Sequence, residues 1–127
     1  MKNIGIITTS RVFAQGLAVI VKERPELEFK PFLLLNPHQA LIDAEIMQID
    51  VAVIDITDNA SKNFENMLHF CEELRKNVPG CHILLLVSQE NGDDCKMAIE
   101  AVKSKTVEDF VLYDASLEYL FAKLAAF

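Results

Sequence analysis

Hydroxyl and carboxyl side chains stand where the apolar runs of this sequence end. They are Thr8, Thr9 and Ser10 after the first run, Asp55 near the end of a later run, and Ser88, Tyr113 and Asp114 after the last two. Such groups exchange hydrogen bonds, and a carboxylate can in addition hold a cation or attack an electrophile. The available chemistry therefore depends on whether the fold brings the ends of these runs together.

The apolar runs are typical of strands that are buried on both faces of a sheet. The predicted strands are Asn3–Thr8, Glu28–Leu35, Val51–Ile56, His82–Val87 and Asp109–Leu112. Four of them are nearly continuous in Ile, Leu and Val, as in parallel sheets, rather than alternating with polar residues. The second contains Pro31, which favours an edge strand because proline cannot donate a hydrogen bond.

Apolar residues recur at helical spacing between the predicted strands. The predicted core stripes are Phe13, Leu17, Ile20 and Val21; Leu41 and Ala44; Phe64, Met67, Leu68, Cys71 and Leu74; Ala98, Ala101 and Val102; and Leu117, Leu120, Phe121 and Leu124. Ser10, Ser61, Asp93 and Ser116 are predicted N-caps. This alternation predicts an α/β fold with a doubly wound, five-stranded parallel sheet and helices on both faces. Ligands of such folds bind at the carboxyl ends of the strands.

The composition of the chain argues against a membrane protein, a secreted protein and a nucleic-acid-binding protein. The chain has 127 residues, of which 51% are hydrophobic and 24% charged, so one globular domain over residues 1–127 is expected. No apolar run is long enough to cross a membrane or to form a secretory signal, and a cytosolic location is expected. The net charge of −7, with Lys and Arg scattered, argues against direct nucleic-acid binding.

Cysteine and histidine spacing offers no metal site. Cys71, Cys81 and Cys95 form no close ligand pair and are expected to be reduced thiols. The three histidines, His38, His69 and His82, fall in different predicted elements, so no metal is expected on them.

The residues at the ends of the predicted strands resemble those of the receiver domain of bacterial response regulators. The resemblance covers nearly the whole chain. Val51–Ile56 is similar to the third strand of that family, which ends in a phospho-accepting aspartate, here Asp55. The segment Leu84–Ser88 is similar to the fourth strand, which ends in a Thr or Ser that switches on phosphorylation. The resemblance implies a flavodoxin-like fold with strand order 2-1-3-4-5. Asp109–Ser116, together with Arg11–Leu17, is closest to receivers that precede a helix-turn-helix output domain.

The sequence departs from this family at the residues that handle the phosphoryl group. Active receivers carry an acidic pair that holds Mg²⁺, where Thr8 and Thr9 stand here, and a lysine that pairs with the phosphoryl oxygens, where Tyr113 stands. The small residue expected after Ser88 is Gln89, and the family's proline is absent from Ile56–Ala60. Hydroxyls are weak ligands for Mg²⁺, which prefers carboxylates. Ordinary phosphorylation is therefore not expected.

The remaining site residues each allow two interpretations. Asp55 is either a retained phospho-acceptor or a structural acid that accepts hydrogen bonds, and Ser88 with Phe110 is either a switch pair or a strand end and a core aromatic. Hydroxyls of Thr8, Thr9 and Ser10, ahead of a helix N-terminus, could cradle a phosphate-bearing ligand, as the comparable loop of flavodoxins does, or could simply cap the helix.

The outer faces of the first and last helices predict a protein contact surface. At 100° per residue, the outward apolar positions are Val12, Ala18, Val19, Tyr119, Ala122 and Ala126, with Lys123 as the charged residue on the last helix. In the receiver fold these two helices are neighbours, and clustered outward apolar side chains favour association.

The sequence is interpreted as an atypical receiver without catalytic residues, metal or cofactor, which acts by protein–protein association in signalling or gene regulation. A homodimer is expected, with a helix-turn-helix output domain fused to it or on a separate chain. Two alternatives stay open: a receiver that is phosphorylated on Asp55 with Mg²⁺, and a flavodoxin-like protein that binds a small ligand.

Overall fold

Strands and helices alternate along the chain in a computed structural model that describes residues 1–56, 60–88 and 92–127. The elements are β1 (Lys2–Ile7), α1 (Arg11–Lys22), β2 (Phe29–Leu34), α2 (Pro37–Ile46), β3 (Val51–Asp55), α3 (Ala60–Asn77), β4 (His82–Val87), α4 (Gly92–Lys103), β5 (Asp109–Leu112) and α5 (Leu117–Ala125). Gln89 and residues 57–59, where the sequence departs from the receiver pattern, lie outside the described residues. Each predicted strand is present, and the largest difference in its bounds is one residue at either end.

The five strands form one parallel sheet in the order β2-β1-β3-β4-β5, which confirms the predicted topology. β2 lies at an edge, where Pro31 is tolerated because one side of the strand needs no hydrogen-bonded neighbour. The strand order reverses beside β1, so the carboxyl ends of β1 and β3 form the crevice in which doubly wound folds place their ligands.

Helices cover both faces of the sheet, and each face has its own core. One core is built on Ala14, Leu17 and Val21 of α1 and on the buried side of α5. The other is built on α2, α3 and α4, with Cys71 and Leu74 among its buried residues. The nearly continuous apolar strands follow from this arrangement, since successive side chains of a strand enter opposite cores.

Several predicted positions differ in the structure. Ala14 is buried in α1, whereas Phe13 and Ile20 are half-buried, because the stripe facing the sheet is rotated from the predicted one. Leu117, predicted to be buried, is 47% exposed since it occupies the first turn of α5. Ala18, predicted to face outward, is half-buried against the α1/α5 core.

Two of the four predicted N-caps are confirmed. Ser10 and Ser116 each accept a hydrogen bond from a backbone N–H of the first helical turn, at 3.2 Å in both cases. Ser61 and Asp93 lie inside α3 and α4, because both helices begin two residues earlier than predicted. None of the helices described is long and apolar enough to cross a membrane.

Ion pairs fix α5 against the sheet and against the end of α1. Lys123 Nζ lies 2.6 Å from Asp109 Oδ2 at the start of β5, and this hydrogen bond raises the pKa of Lys123. Lys123 is therefore turned toward β5, in contrast to its predicted outward position. Arg24 pairs with Glu118 and lies over the Phe121 ring, 4.6 Å from its centroid. These contacts hold the outer faces of α1 and α5 on the same side of the molecule.

Gly5 allows two buried side chains, Leu34 of β2 and Ile49 ahead of β3, to pack closely on β1. A Cβ atom at this position would lie 3.2 Å from Ile49 Cγ2 and 3.2 Å from Leu34 Cδ1, closer than ordinary van der Waals contact. Gly16 on α1 differs, because a Cβ atom there would meet no atom within 4 Å.

We expect Gly5→Val to lower the free energy of unfolding by about 1–3 kcal/mol, since overpacking forces neighbouring side chains from their rotamers. Gly16→Ala, the matched control, should raise it by about 0.4–1 kcal/mol by reducing the freedom of the unfolded chain. Urea denaturation followed by circular dichroism measures both. Equal stability of Gly5→Val and the unsubstituted protein would contradict the packing described for β1.

Candidate functional site

The carboxyl ends of β1 and β3 place Thr8 beside Asp55. Ile7 pairs with Ile54 across the two strands, so the residues that follow them, Thr8 and Asp55, lie at the same level. Thr8 Oγ1 donates a hydrogen bond to Asp55 Oδ2 at 2.8 Å. Thr8 is only 6% exposed, and Asp55 is half-buried, so this hydrogen bond is shielded from water. The structure thus brings together two of the predicted site residues.

A chain of hydrogen bonds runs from Asp55 to the N-terminus of α1. Thr8 Oγ1 accepts a hydrogen bond from the Ser10 backbone N–H at 3.1 Å, and Ser10 Oγ accepts one from the Phe13 N–H at 3.2 Å. Thr8 and Ser10 therefore act as structural hydroxyls within the chain. The carboxylate of Asp55 is tied through them to the first turn of the helix.

A cavity of about 440 Å³ opens beside Asp55, between the strand ends and helices α2 and α3. The described residues that line it are mostly apolar, and they are Ile7, Thr8, Thr9, Leu34, His38, Ala40, Asp55, Ile56, Asn66, Met67 and Phe70. Asp55 and His38 are the ionisable groups among them. The polar groups come from the ends of β1 and β3 and from α2 and α3, so they converge from separate parts of the chain.

His38, Asn66 and Phe70 were not predicted as site residues. His38 lies in the first turn of α2, and the other two lie on α3. No motif marks them, because their position depends on how both helices pack over the strand ends. The sequence offered one indication of this site. Asn36, whose side chain caps α2, is followed closely by a polar residue, His38.

Ser88, Phe110 and Tyr113 are not among the described residues that line this cavity. The carbonyl of Ser88 accepts a weak hydrogen bond from Cys95 Sγ at 3.6 Å. Phe110 packs against the core formed by α2, α3 and α4. The Tyr113 ring lies 5.4 Å from the Phe13 ring, centroid to centroid, so it packs against α1.

Among the described residues, the donor set at Asp55 does not fit Mg²⁺. This ion takes near-octahedral oxygen ligands and depends on carboxylates for charge, whereas the residues adjoining Asp55 at the end of β1 supply neutral hydroxyls. One of these hydroxyls, that of Thr8, already donates to Asp55 Oδ2. Within the described ranges, no group of three His, Cys, Asp or Glu residues could hold a metal ion.

Two of the three cysteines, Cys71 and Cys81, are unreactive thiols. Burial raises the pKa of Cys71 and that of Cys81 to about 12, so neither forms an appreciable thiolate at neutral pH. Cys95 is half-buried.

The outer faces of α1 and α5 form the α1/α5 surface, defined here by its exposed apolar residues, Val12, Val19, Leu117, Tyr119, Ala122 and Ala126. Val12 is 83% exposed and Tyr119 is 47% exposed. Five of the six residues predicted for this surface are thus exposed. Ala18 is the exception, and Leu117 replaces it.

Comparison by sequence finds no matching protein family and no matching curated protein. Comparison by structure finds 179 chains of similar fold. A response regulator receiver domain protein from Clostridium thermocellum has a TM-score of 0.78 at 16% identity, over 99% of this chain and 93% of the other. A response regulator from Burkholderia pseudomallei, described with a phosphorylated aspartic acid, a calcium ion and citrate, has a TM-score of 0.73 at 24% identity, over 99% and 69%.

A third neighbour is described in terms of pilus assembly (cpaE). This Burkholderia thailandensis protein has a TM-score of 0.71 at 17% identity, over 100% of both chains. The chain therefore has the flavodoxin-like fold of response regulator receiver domains, as the sequence predicted.

We expect Thr8→Val to lower the free energy of unfolding by about 1–3 kcal/mol, because it removes the two hydrogen bonds that Thr8 Oγ1 makes with Asp55 Oδ2 and with the Ser10 backbone N–H, both in half-buried residues. Thr8→Ser, which keeps the hydroxyl, is the matched control and should lose less than Thr8→Val. Urea denaturation of both variants at neutral pH measures the difference. A Thr8→Val variant that is as stable as Thr8→Ser would contradict the structural role of this hydroxyl.

Proposed function

We propose that this chain is an atypical receiver domain of the two-component type, which acts by associating with a protein partner and does not use Mg²⁺-dependent phosphorylation. The observation that carries the proposal is the hydrogen bond from Thr8 Oγ1 to Asp55 Oδ2. A hydroxyl donor occupies the side of the carboxylate where an active receiver would present acidic metal ligands. The domain regulates without catalysing a reaction of its own.

Charge decides against ordinary phosphoryl transfer. A protein that transfers a phosphoryl group mainly positions it and neutralises the charge on its oxygens. Thr8 and Thr9 supply no negative charge to hold Mg²⁺, and Tyr113 supplies no positive charge. Each missing charge contact of this kind commonly costs about 2–4 kcal/mol in barrier height. Three such losses at one site leave Asp55 without the help that the reaction requires.

The fold does not by itself prevent this chemistry. The Burkholderia pseudomallei neighbour is described with a phosphorylated aspartic acid and a calcium ion. The proposed loss of phosphorylation therefore rests on the side chains at the strand ends. This comparison supports a proposal based on residues 8, 9 and 113 and not on the backbone.

The α1/α5 surface supports association as the activity of the domain. Exposed Val12, Val19 and Tyr119 provide apolar contact area on neighbouring helices. Exposed Arg11 and Lys22 make α1 locally basic in a chain whose net charge is −7. This combination suits a second copy of the chain or an acidic partner protein, and we propose a homodimer.

The output of the domain is a further part of the proposal. The receivers that resemble Asp109–Ser116 precede helix-turn-helix domains, so a DNA-binding output domain, fused or separate, is the first candidate. The neighbour described as a pilus assembly protein favours a second setting, in which a domain of this fold serves protein assembly. In both settings this chain makes no direct contact with nucleic acid.

We expect no mass increase of one phosphoryl group when the protein is incubated with acetyl phosphate and Mg²⁺. The reason is that Thr8 and Thr9 supply no carboxylate to hold Mg²⁺ and Tyr113 supplies no cation to offset the charge of the phosphoryl group. Intact-mass spectrometry of the unsubstituted protein and of Asp55→Asn measures this, and the Burkholderia pseudomallei response regulator is the positive control.

A mass increase that requires Mg²⁺ and disappears in Asp55→Asn would instead establish the phosphorylated receiver, and the proposal would fail. The absence of a phosphoryl mass increase in both proteins supports it.

We expect the protein to sediment as a dimer at tens of micromolar, since burial of the α1/α5 surface removes apolar area from water. Tyr119→Glu should weaken the dimer at least tenfold, because it places a charge in the contact. Ile46→Glu, on the exposed side of α2, is the matched control and should leave the dimer unchanged. A monomer at these concentrations, or equal weakening by both variants, would contradict self-association through this surface.

A further inference from the structure

The cavity beside Asp55 has the size and lining of a small-molecule site. Its volume of about 440 Å³ lies within the range of about 300–1,000 Å³ that is usual for ligand pockets. Six of its described lining residues have apolar side chains, and they are Ile7, Leu34, Ala40, Ile56, Met67 and Phe70. A few polar groups that converge on an apolar cavity are the general pattern of a binding site.

We propose that this cavity binds a small aromatic molecule that carries a cationic amine. The amine is recognised by Asp55, and the aromatic part lies against α3. Binding needs neither a metal nor a phosphoryl group.

The negative charge of the cavity lining favours a ligand with a cationic amine. Among the described lining residues, Asp55 is the acidic group, and none is Lys or Arg. Asp55 is half-buried, so its interaction with a bound ammonium group is screened less than it would be at an open surface. The net charge of −7 adds a long-range attraction for cations and a repulsion for anions. A phosphate-bearing ligand, the alternative raised by the threonines, is disfavoured by the same charges.

The α3 side of the cavity favours an aromatic group in the ligand. Met67 and Phe70 are one helical turn apart on α3, both are half-buried, and both line the cavity. Phenylalanine offers a ring face or edge to an aromatic ligand, and methionine sulfur makes favourable contacts with aromatic rings. A flat hydrophobic group therefore fits this wall better than a branched polar one.

The cavity is also connected to the rest of the proposed function. Asp55 is linked through Thr8 and Ser10 to the first turn of α1, where Val12 begins the α1/α5 surface. A ligand on Asp55 would thus touch the hydrogen bonds that fix the end of that surface. The use of binding as a signal rests on the proposed function, whereas binding itself does not.

Three indoles that share one ring system test the proposal. Tryptamine carries an ammonium group, indole is neutral, and indole-3-acetate carries a carboxylate. Isothermal titration calorimetry of the full chain at neutral pH should give a dissociation constant for tryptamine of about 1 mM or lower. A ligand of about a dozen heavy atoms commonly reaches this affinity. Indole should bind at least about tenfold more weakly, as expected when a charge-assisted contact is lost. Indole-3-acetate should not bind measurably.

Variants locate the site. Asp55→Asn should weaken tryptamine about tenfold and leave indole unchanged, because it removes the charge and keeps the shape. Met67→Trp should weaken both ligands by filling the cavity. Glu45→Gln, which removes an exposed charge on α2 outside the cavity, is the matched control and should change neither. Circular dichroism checks that each variant is folded.

The proposal is overturned if tryptamine shows no saturable binding, if the three indoles bind equally, or if Glu45→Gln and Asp55→Asn have the same effect. Tighter binding of inorganic phosphate than of tryptamine would likewise overturn it. These outcomes are independent of the phosphorylation assay, so failure of the cavity proposal and failure of the proposed function can be told apart.

Discussion

The hydrogen bond from Thr8 to Asp55 depends on the parallel register of β1 and β3, and the candidate site depends on that bond. Pairing of Ile7 with Ile54 brings the two strand ends to one level, and only then can Thr8 Oγ1 reach Asp55 Oδ2 at 2.8 Å. A shift of the register by one residue would reverse the face to which each side chain points. The buried Ile, Val and Ala side chains of both strands oppose such a shift, because each of them would enter the opposite core, which packs a different set of side chains.

This hydrogen bond gives the phospho-acceptor position of a receiver fold a different electrostatic character. In the receivers that the chain resembles, the corresponding aspartate lies among other acids and binds a divalent ion. Here it is joined to a hydroxyl and, through Ser10, to the start of α1. Asp55 also lines the adjoining cavity, where we propose that it recognises an organic cation. In this proposal the receiver fold responds to a different input without a change in its backbone.

The fold was predictable from the sequence, because the strands are buried on both faces and therefore nearly continuous in apolar residues. Pro31 correctly indicated an edge strand, and the strand order followed from the family resemblance. Helix faces were less predictable: Leu117 is exposed and Ala18 is half-buried, since a helix in contact with a sheet rotates to pack its smallest residues, such as Ala14, most closely.

The site was predictable only where it lies at strand ends. Thr8 and Asp55 were identified because the ends of neighbouring parallel strands share one edge of a sheet. The cavity was not, since His38 and Phe70 reach it from two helices whose packing no local pattern encodes. Tyr113 was placed correctly after β5, but its contact with Phe13 depends on the tilt of α1 against the sheet.

The central claim is that Asp55 binds neither Mg²⁺ nor a phosphoryl group. Amide nuclear magnetic resonance spectra, recorded with millimolar Mg²⁺ and then with beryllofluoride added, test it most directly. The signals of Thr8, Thr9 and Asp55 are expected to stay in place in both titrations. Saturable shifts of these three amides, enhanced by beryllofluoride and absent in Asp55→Asn, would contradict the claim.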